Sequence, residues 1–156
     1  MNINFQTLTI KNMETDKSKT LTTTLRLLNE KLHFEGKVEG NNPISIDYTP
    51  PLGDNLGYTS LELFLLSLSS CAGSAILVLL RKMNKQIDQF EIYSVGERKE
   101  THPTGFASIT MQVNIKAKNI QPDEMQKVLG MIESICPVLS MLDKNIKTTI
   151  NFNINE

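Results

Sequence analysis

Two cysteines are the residues of this sequence whose chemistry first suggests a reaction. Cys71 and Cys136 lie 65 positions apart and are the only two cysteines among the 156 residues. That number excludes a disulfide scaffold and a zinc site built from several cysteines. In a reducing compartment, such a pair is either two buried apolar side chains or a redox couple. The residue types alone leave both interpretations open.

The local sequence gives the two thiols different settings. A helix is predicted to begin at Pro122, and Pro137 interrupts it, because proline lacks a donor and disfavours helical backbone in the residue before it. Cys136 is then the N-cap of a new helix, where free amides and the positive end of the dipole stabilise a thiolate. Cys71 lies some twelve positions inside a helix of its own. Its activation would need a cation from another segment.

The helix that carries Cys71 is predicted from Gly57 to Lys82. Thr59 followed by Glu62 forms a capping box at its start. Apolar residues fall on nearly every face, which predicts a central helix that is buried on all sides. Its length is that of a membrane span, but Glu62 and five serines favour a soluble helix. Small residues permit close approach of other backbones at Ser67, Ser69, Ser70, Gly73 and Ser74.

The rest of the chain predicts strands around this helix. Alternation of apolar and polar residues indicates a half-buried strand over Leu21–Leu27 and a longer one over Ser108–Lys118. Further strands are predicted at residues 3–10, 32–38, 44–47, 90–99 and 147–154, with a surface loop at residues 48–58. The order predicts an α+β fold in one domain of 156 residues, in which residues 1–20 are a possible extra strand and linker.

The net charge and the composition limit the classes of partner that we expect this protein to bind. The net charge of −1 and the pI near 6.1 provide no basic field for nucleic acid or for an anionic membrane. Residues 1–19 contain no apolar run of the signal-peptide type. We therefore expect a cytoplasmic protein without nucleic-acid or membrane partners.

Three groups of residues together resemble the superfamily of osmotically inducible protein C (OsmC) and organic hydroperoxide resistance protein (Ohr). One is E-L-F-L-L-S-L-S-S-C, from Glu62 to Cys71, and the second is C-P-V, from Cys136 to Val138. The third group lies between them and comprises Gly96–Arg98, His102, Pro103 and Phe106. The resemblance covers roughly residues 32–154, most of the chain.

The resemblance implies an OsmC-like fold, with antiparallel sheets around a long central helix, in an intertwined homodimer. It implies a thiol-dependent peroxidase in which Cys71 is the peroxidatic thiol and Cys136 the resolving thiol. The cycle would pass through a Cys71 sulfenic acid and a Cys71–Cys136 disulfide, restored by an external dithiol. No metal or organic cofactor is implied. An apolar lining at Met131, Leu139 and Met141 would favour alkyl hydroperoxides.

The carboxylate of the family pattern is displaced in this sequence. The family places a glutamate ten residues before the reactive cysteine, and that position is Leu61 here. Glu62 is nine residues before Cys71, which places it on the opposite side of the helix. We therefore interpret Glu62 as the capping-box carboxylate.

The arginine of the family pattern is also missing, because no arginine lies between Arg26 and Arg81. His33 and Lys37 lie in the corresponding region, where both are equally well ordinary strand residues. An alternative function therefore stays open, in which a non-enzymatic protein of the same fold binds a hydrophobic small molecule beside Cys71.

Overall fold

The computed structural model describes residues 17–155. The chain divides into two compact units, Met1–Tyr58 and Thr59–Glu156, and each is described by itself. The strand predicted at residues 3–10 lies outside the described residues.

The N-terminal unit contains a three-stranded antiparallel sheet. Its strands are β1 (Thr24–Leu27), β2 (Phe34–Lys37) and β3 (Ile44–Ile46), in the order β1-β2-β3. Each strand pairs antiparallel with its neighbour in the sequence, so the strands predicted at residues 21–27, 32–38 and 44–47 form one sheet.

The two faces of this sheet differ sharply in polarity. Because side chains alternate along a strand, the register places six residues without polar side chains on one face: Leu25, Leu27, Phe34, Gly36, Ile44 and Ile46. In a single copy of the chain, the prediction of a half-buried first strand is wrong, since Leu25 is 61% exposed and Leu27 is 54% exposed. No apolar side chain among residues 17–58 is fully buried.

A buried carboxylate organises the loop that follows this sheet. Asp47 is fully buried and accepts hydrogen bonds from the backbone N–H groups of Tyr48 (2.8 Å), Asp54 (3.0 Å) and Leu56 (3.0 Å). Burial alone would raise the pKa of Asp47, but these three bonds and the nearby His33 hold that pKa below its ordinary value. The predicted surface loop therefore has a polar centre.

The C-terminal unit places helices against a second three-stranded sheet. Its elements, in chain order, are α1 (Ser60–Lys82), β4 (Gln86–Arg98), β5 (Phe106–Lys118), α2 (Pro122–Ile135), α3 (Pro137–Ser140) and β6 (Lys147–Asn155). The sheet order is β4-β5-β6. β4 is antiparallel to β5, whereas β6 runs parallel to β5, because α2 and α3 form the crossover between these strands.

Strand β5 supplies the centre of the apolar core. Its inward residues are at most 2% exposed: Ile109, Met111, Val113, Ile115 and Ala117. These are the positions that the sequence alternation predicted. From α2, Met125, Val128 and Ile132 are buried against the same core.

Helix α1 packs closely on this sheet through its small residues. A Cβ added at Gly73 would lie only 3.1 Å from Phe90 Cε1 and 3.2 Å from Ile92 Cδ1. The hydroxyl groups of Ser69 and Ser94 are 2.7 Å apart. The prediction that α1 is buried on all sides is wrong for this chain alone, since Leu66 and Val78 are about half exposed. One side of the helix contacts β4, α2 and α3, and another is free of such contacts.

Candidate functional site

The capping box sets the position of Cys71 along α1. The Thr59 backbone N–H donates to Glu62 Oε2 at 2.7 Å, and the Glu62 backbone N–H donates to Thr59 Oγ1 at 3.3 Å. The helix therefore begins at Ser60, and Cys71 lies in its middle. The Cys71 side chain is partly buried and packs against the core of the C-terminal unit.

Cys136 lies at the break between α2 and α3, as the sequence predicts. Its backbone is extended (φ −85°, ψ 106°), which the following Pro137 requires. Its backbone N–H donates to Ile132 O at 2.8 Å, and its Sγ accepts from the Leu139 backbone N–H at 3.3 Å. Cys136 is the N-cap of α3 and only 1% exposed.

The fold brings these two thiols together. Cys136 belongs to the buried core cluster of the C-terminal unit and Cys71 packs against that cluster, although the two residues are 65 positions apart in the sequence. They meet because α1, α2 and α3 pack together on one face of the second sheet, and both side chains belong to the same apolar cluster. The predicted site residues are thus adjacent.

Burial has the largest effect on the pKa of Cys136. The pKa of Cys136 is raised above its ordinary value, first by burial and then by the contact with Cys71. The backbone N–H groups of Leu139 and Val138 act in the opposite direction but do not offset these effects. The expectation of a thiolate at this helix start is wrong, because α3 is only four residues long and loss of solvent outweighs its amides.

The two thiols differ in their access to solvent. Cys136 is only 1% exposed, and burial raises its pKa, which favours the protonated thiol, whereas Cys71 is partly exposed. The arrangement suits chemistry in which Cys71 reacts first and Cys136 supplies a second sulfur.

Glu62 is engaged in the capping box, as predicted. Its Oε2 also accepts from Thr59 Oγ1 at 2.9 Å. The backbone bond, followed by the hydroxyl bond, holds the pKa of Glu62 below its ordinary value. The carboxylate is therefore committed to the start of α1.

The basic residues of the N-terminal unit have local partners or face solvent. Arg26 Nη2 pairs with Glu35 Oε1 at 3.0 Å on the polar face of the first sheet. His33 Nε2 lies 2.8 Å from Ser45 Oγ, and Lys37 is exposed. Each of the three is thus accounted for as an ordinary residue of its strand or turn.

Two residues of the expected apolar lining are exposed. Met141 is 75% exposed and Met131 is 42% exposed, whereas Leu139 is partly buried beside Cys136. Sequence reasoning missed Asp47 as an organising residue. Its signal was a carboxylate three positions before the Pro50-Pro51 and Gly53 turn, because aspartate side chains often accept from backbone amides in turns.

The sequence matches the family model described as OsmC-like protein over residues 53–151. That range covers more than half of the chain and includes both cysteines. The chain belongs to the OsmC-like family. The resemblance stated from the cysteine motifs is confirmed. No curated protein is significantly similar in sequence.

Solved structures show that the α+β fold of this OsmC-like chain recurs at low sequence identity. A hypothetical protein from Aquifex aeolicus is 22% identical, with a TM-score of 0.76 over 88% of this chain and 97% of that one. An OsmC-like protein from Mycoplasma pneumoniae is 17% identical, with a TM-score of 0.76 over 88% and 99%. An organic hydroperoxide resistance protein of Bacillus subtilis is 19% identical, with a TM-score of 0.60 over 86% and 98%.

Two further properties concern the described residues only. α1 is long and apolar enough to cross a membrane, but the core helix of a soluble protein meets the same criteria, and α1 contributes buried residues to the core. Between residues 17 and 155, no group of three His, Cys, Asp or Glu side chains is arranged to hold a metal ion.

Proposed function

We propose that this OsmC-like protein is a thiol-dependent peroxidase that reduces organic hydroperoxides. The observation that carries the proposal is the packing of Cys71 and Cys136 in one apolar cluster. Relatives of the same fold include an organic hydroperoxide resistance protein. Because disulfide cycling needs a reducing environment, we place the protein in the cytoplasm.

The proposed cycle assigns one step to each thiol. Cys71 is partly exposed, so an oxidant reaches it before Cys136. The Cys71 thiol first releases its proton to water. The resulting thiolate attacks the terminal peroxide oxygen, the O–O bond breaks, and the departing alkoxide takes a proton from water to become an alcohol. Cys71 is then a sulfenic acid. Both electrons for the reduction come from the Cys71 sulfur.

Cys136 completes the reaction. Its thiol attacks the sulfur of the Cys71 sulfenic acid, a disulfide forms, and water leaves with the proton that Cys136 retained. An external dithiol then restores both thiols by two successive exchanges and becomes a disulfide itself. The burial of Cys136 supports this assignment, because an oxidant meets the partly exposed Cys71 first.

The thiol cycle is tested with reduced protein and one equivalent of cumene hydroperoxide. We expect the wild type to form an intramolecular Cys71–Cys136 disulfide, seen by mass spectrometry. The Cys136→Ser variant should stop at a sulfenic acid that dimedone traps. The Cys71→Ser variant should leave the peroxide unreacted. Oxidation of Cys71→Ser at the wild-type rate, or two intact thiols in the treated wild type, would refute the proposal.

We also propose that the protein is a homodimer in which a second copy covers the apolar face of the first sheet. That face is about half exposed at Leu25, Leu27 and Ile44. A three-stranded sheet without buried apolar side chains has little stability of its own. Sedimentation of Leu25→Asp tests this, with Thr24→Asp on the opposite face as the matched control. We expect only Leu25→Asp to shift the protein to a monomer; a monomeric wild type would refute the dimer.

A further inference from the structure

The C-terminal unit contains a cleft of about 520 Å³ between α2, α3 and β6, called here the α2–β6 cleft. Six apolar side chains line it: Leu129, Ile132, Leu139, Leu142, Ile146 and Ile150. Cys71 and Cys136 are not among its lining residues. A volume of this size is typical of sites for small organic ligands. We infer that the α2–β6 cleft binds an amphipathic small molecule with an apolar chain and a cationic amine head.

The apolar part of the inference rests on the inner wall. Leu129, Leu139 and Ile150 are only partly buried and pack against the core from the side that faces the cleft. Covering these side chains with a hydrocarbon chain removes apolar surface from water, which favours binding.

The cationic part rests on charge at the rim. The rim carries two carboxylates, Glu133 and Asp143, and one amine, Lys144. Among residues 17–155, Lys144 forms no salt bridge with either carboxylate, so neither is neutralised. Asp143 Oδ1 accepts from the Asn145 backbone N–H and from Asn145 Nδ2, both at 2.9 Å.

The end of α2 adds negative potential at the same place. Glu133 lies in the last turn of α2, and that turn contains no basic residue to offset the negative end of the helix dipole. The Glu133 carbonyl also lacks its usual intrahelical donor, because the residue four positions later is Pro137. An alkylammonium head has three N–H donors for these oxygens.

The cleft is a site separate from the thiol pair but adjoins it through Leu139. The Leu139 side chain lines the cleft, and its backbone N–H donates to Cys136 Sγ. Binding requires no thiol chemistry, so it should persist in the Cys71→Ser variant. Failure of the peroxidase proposal would leave this inference standing, and the reverse also holds.

Three probes with the same length of hydrocarbon chain test the inference: octylamine, octanol and octanoate. Each is titrated into isotope-labelled protein, and binding is followed by the shifts of the amide NMR signals. We expect octylamine to bind about threefold to tenfold more tightly than octanol, and octanoate to bind more weakly than either. The shifted amides should belong to the cleft walls. Octanoate binding as tightly as octylamine, or shifts away from the cleft, would overturn the inference.

Charge variants provide a second test, because removing a carboxylate and removing an amine from the cleft should change the octylamine affinity in opposite directions. Glu133→Gln should weaken octylamine binding about threefold to tenfold, and Lys144→Gln should strengthen it by a few fold. Ser140→Trp should block the cleft, whereas Ser134→Trp, exposed on α2 and absent from the lining, is its matched control. Unchanged octylamine affinity in Glu133→Gln and Ser140→Trp would also overturn the inference.

Discussion

In the C-terminal unit, strand β5 alternates apolar and polar residues and its apolar side chains are fully buried. In the N-terminal unit, the first sheet shows the same alternation, yet Leu25 and Leu27 remain more than half exposed. The buried groups of the described N-terminal residues are Asp47 and Gly53. One unit is therefore organised by apolar packing, and the other by hydrogen bonds to a carboxylate. Alternation predicts that a face will be apolar, but it does not predict what covers that face.

The largest expected effect compares one apolar strand residue from each unit. Ile109→Ala leaves a cavity in a closed core and should lower the free energy of unfolding by about 2–5 kcal/mol. Leu25→Ala removes exposed surface and should cost less than about 1 kcal/mol at low protein concentration. Urea denaturation measures both. Equal losses of unfolding free energy for the two variants at the lowest protein concentration would contradict the difference between the units. A loss for Leu25→Ala that depends on protein concentration would support the proposed dimer.

Glycine substitutions also test the difference in packing between the two units. A Cβ at Gly96 would lie 2.3 Å from Phe106 Cε1, a buried ring, so Gly96→Ala should cost about 1–3 kcal/mol of unfolding free energy. A Cβ at Gly36 would lie 3.0 Å from Ile46 Cδ1, the end of a flexible side chain, and should cost less. Gly105→Ala, with no atom within 4 Å, is the control. A larger thermal destabilisation from Gly36→Ala than from Gly96→Ala would argue against this account.

Asp47→Asn tests the polar centre of the N-terminal unit. An asparagine has one acceptor oxygen, so it cannot satisfy three backbone donors, and amide exchange in the loop should become at least about tenfold faster. Because folding lowers the pKa of Asp47, its stabilisation is complete above its ordinary value of 3.8 and is lost as pH falls below it. Asp54→Asn, whose carboxylate pairs with Lys31 at the surface, is the matched control. Equal exchange in the two variants would contradict the role of Asp47.

The smallest expected effect concerns the start of α1. Glu62→Ala removes half of the capping box and should lower the free energy of unfolding by about 0.5–1 kcal/mol. The pKa of Glu62 is lowered in the folded protein, so this contribution is present above its ordinary value of 4.5 and is lost as pH falls below it. Thermal unfolding at pH 7 and at low pH measures the difference. Glu133→Ala, in the last turn of α2, should instead be neutral or slightly stabilising. A pH-independent effect of Glu62→Ala would exclude the capping role.

Local signals predicted the elements that position the site. Thr59 and Glu62 predicted where α1 begins, and Pro122 and Pro137 predicted the two ends of α2. These signals succeed because capping and proline sterics act within one turn of helix. The raised pKa of Cys136 could not be predicted in this way, because burial by distant elements outweighs the amides of a four-residue helix.

The sequence by itself determined the family, the α+β elements, and the placement of one thiol in a long helix and of the other beside a proline. These properties depend on neighbouring residues and on motifs that can be read along the chain. Only the tertiary structure decided that the two thiols share one apolar cluster, that burial raises the pKa of Cys136, and that a charged cleft opens beside α2. Those properties depend on which distant surfaces pack together and exclude water, and residue spacing carries no measure of either.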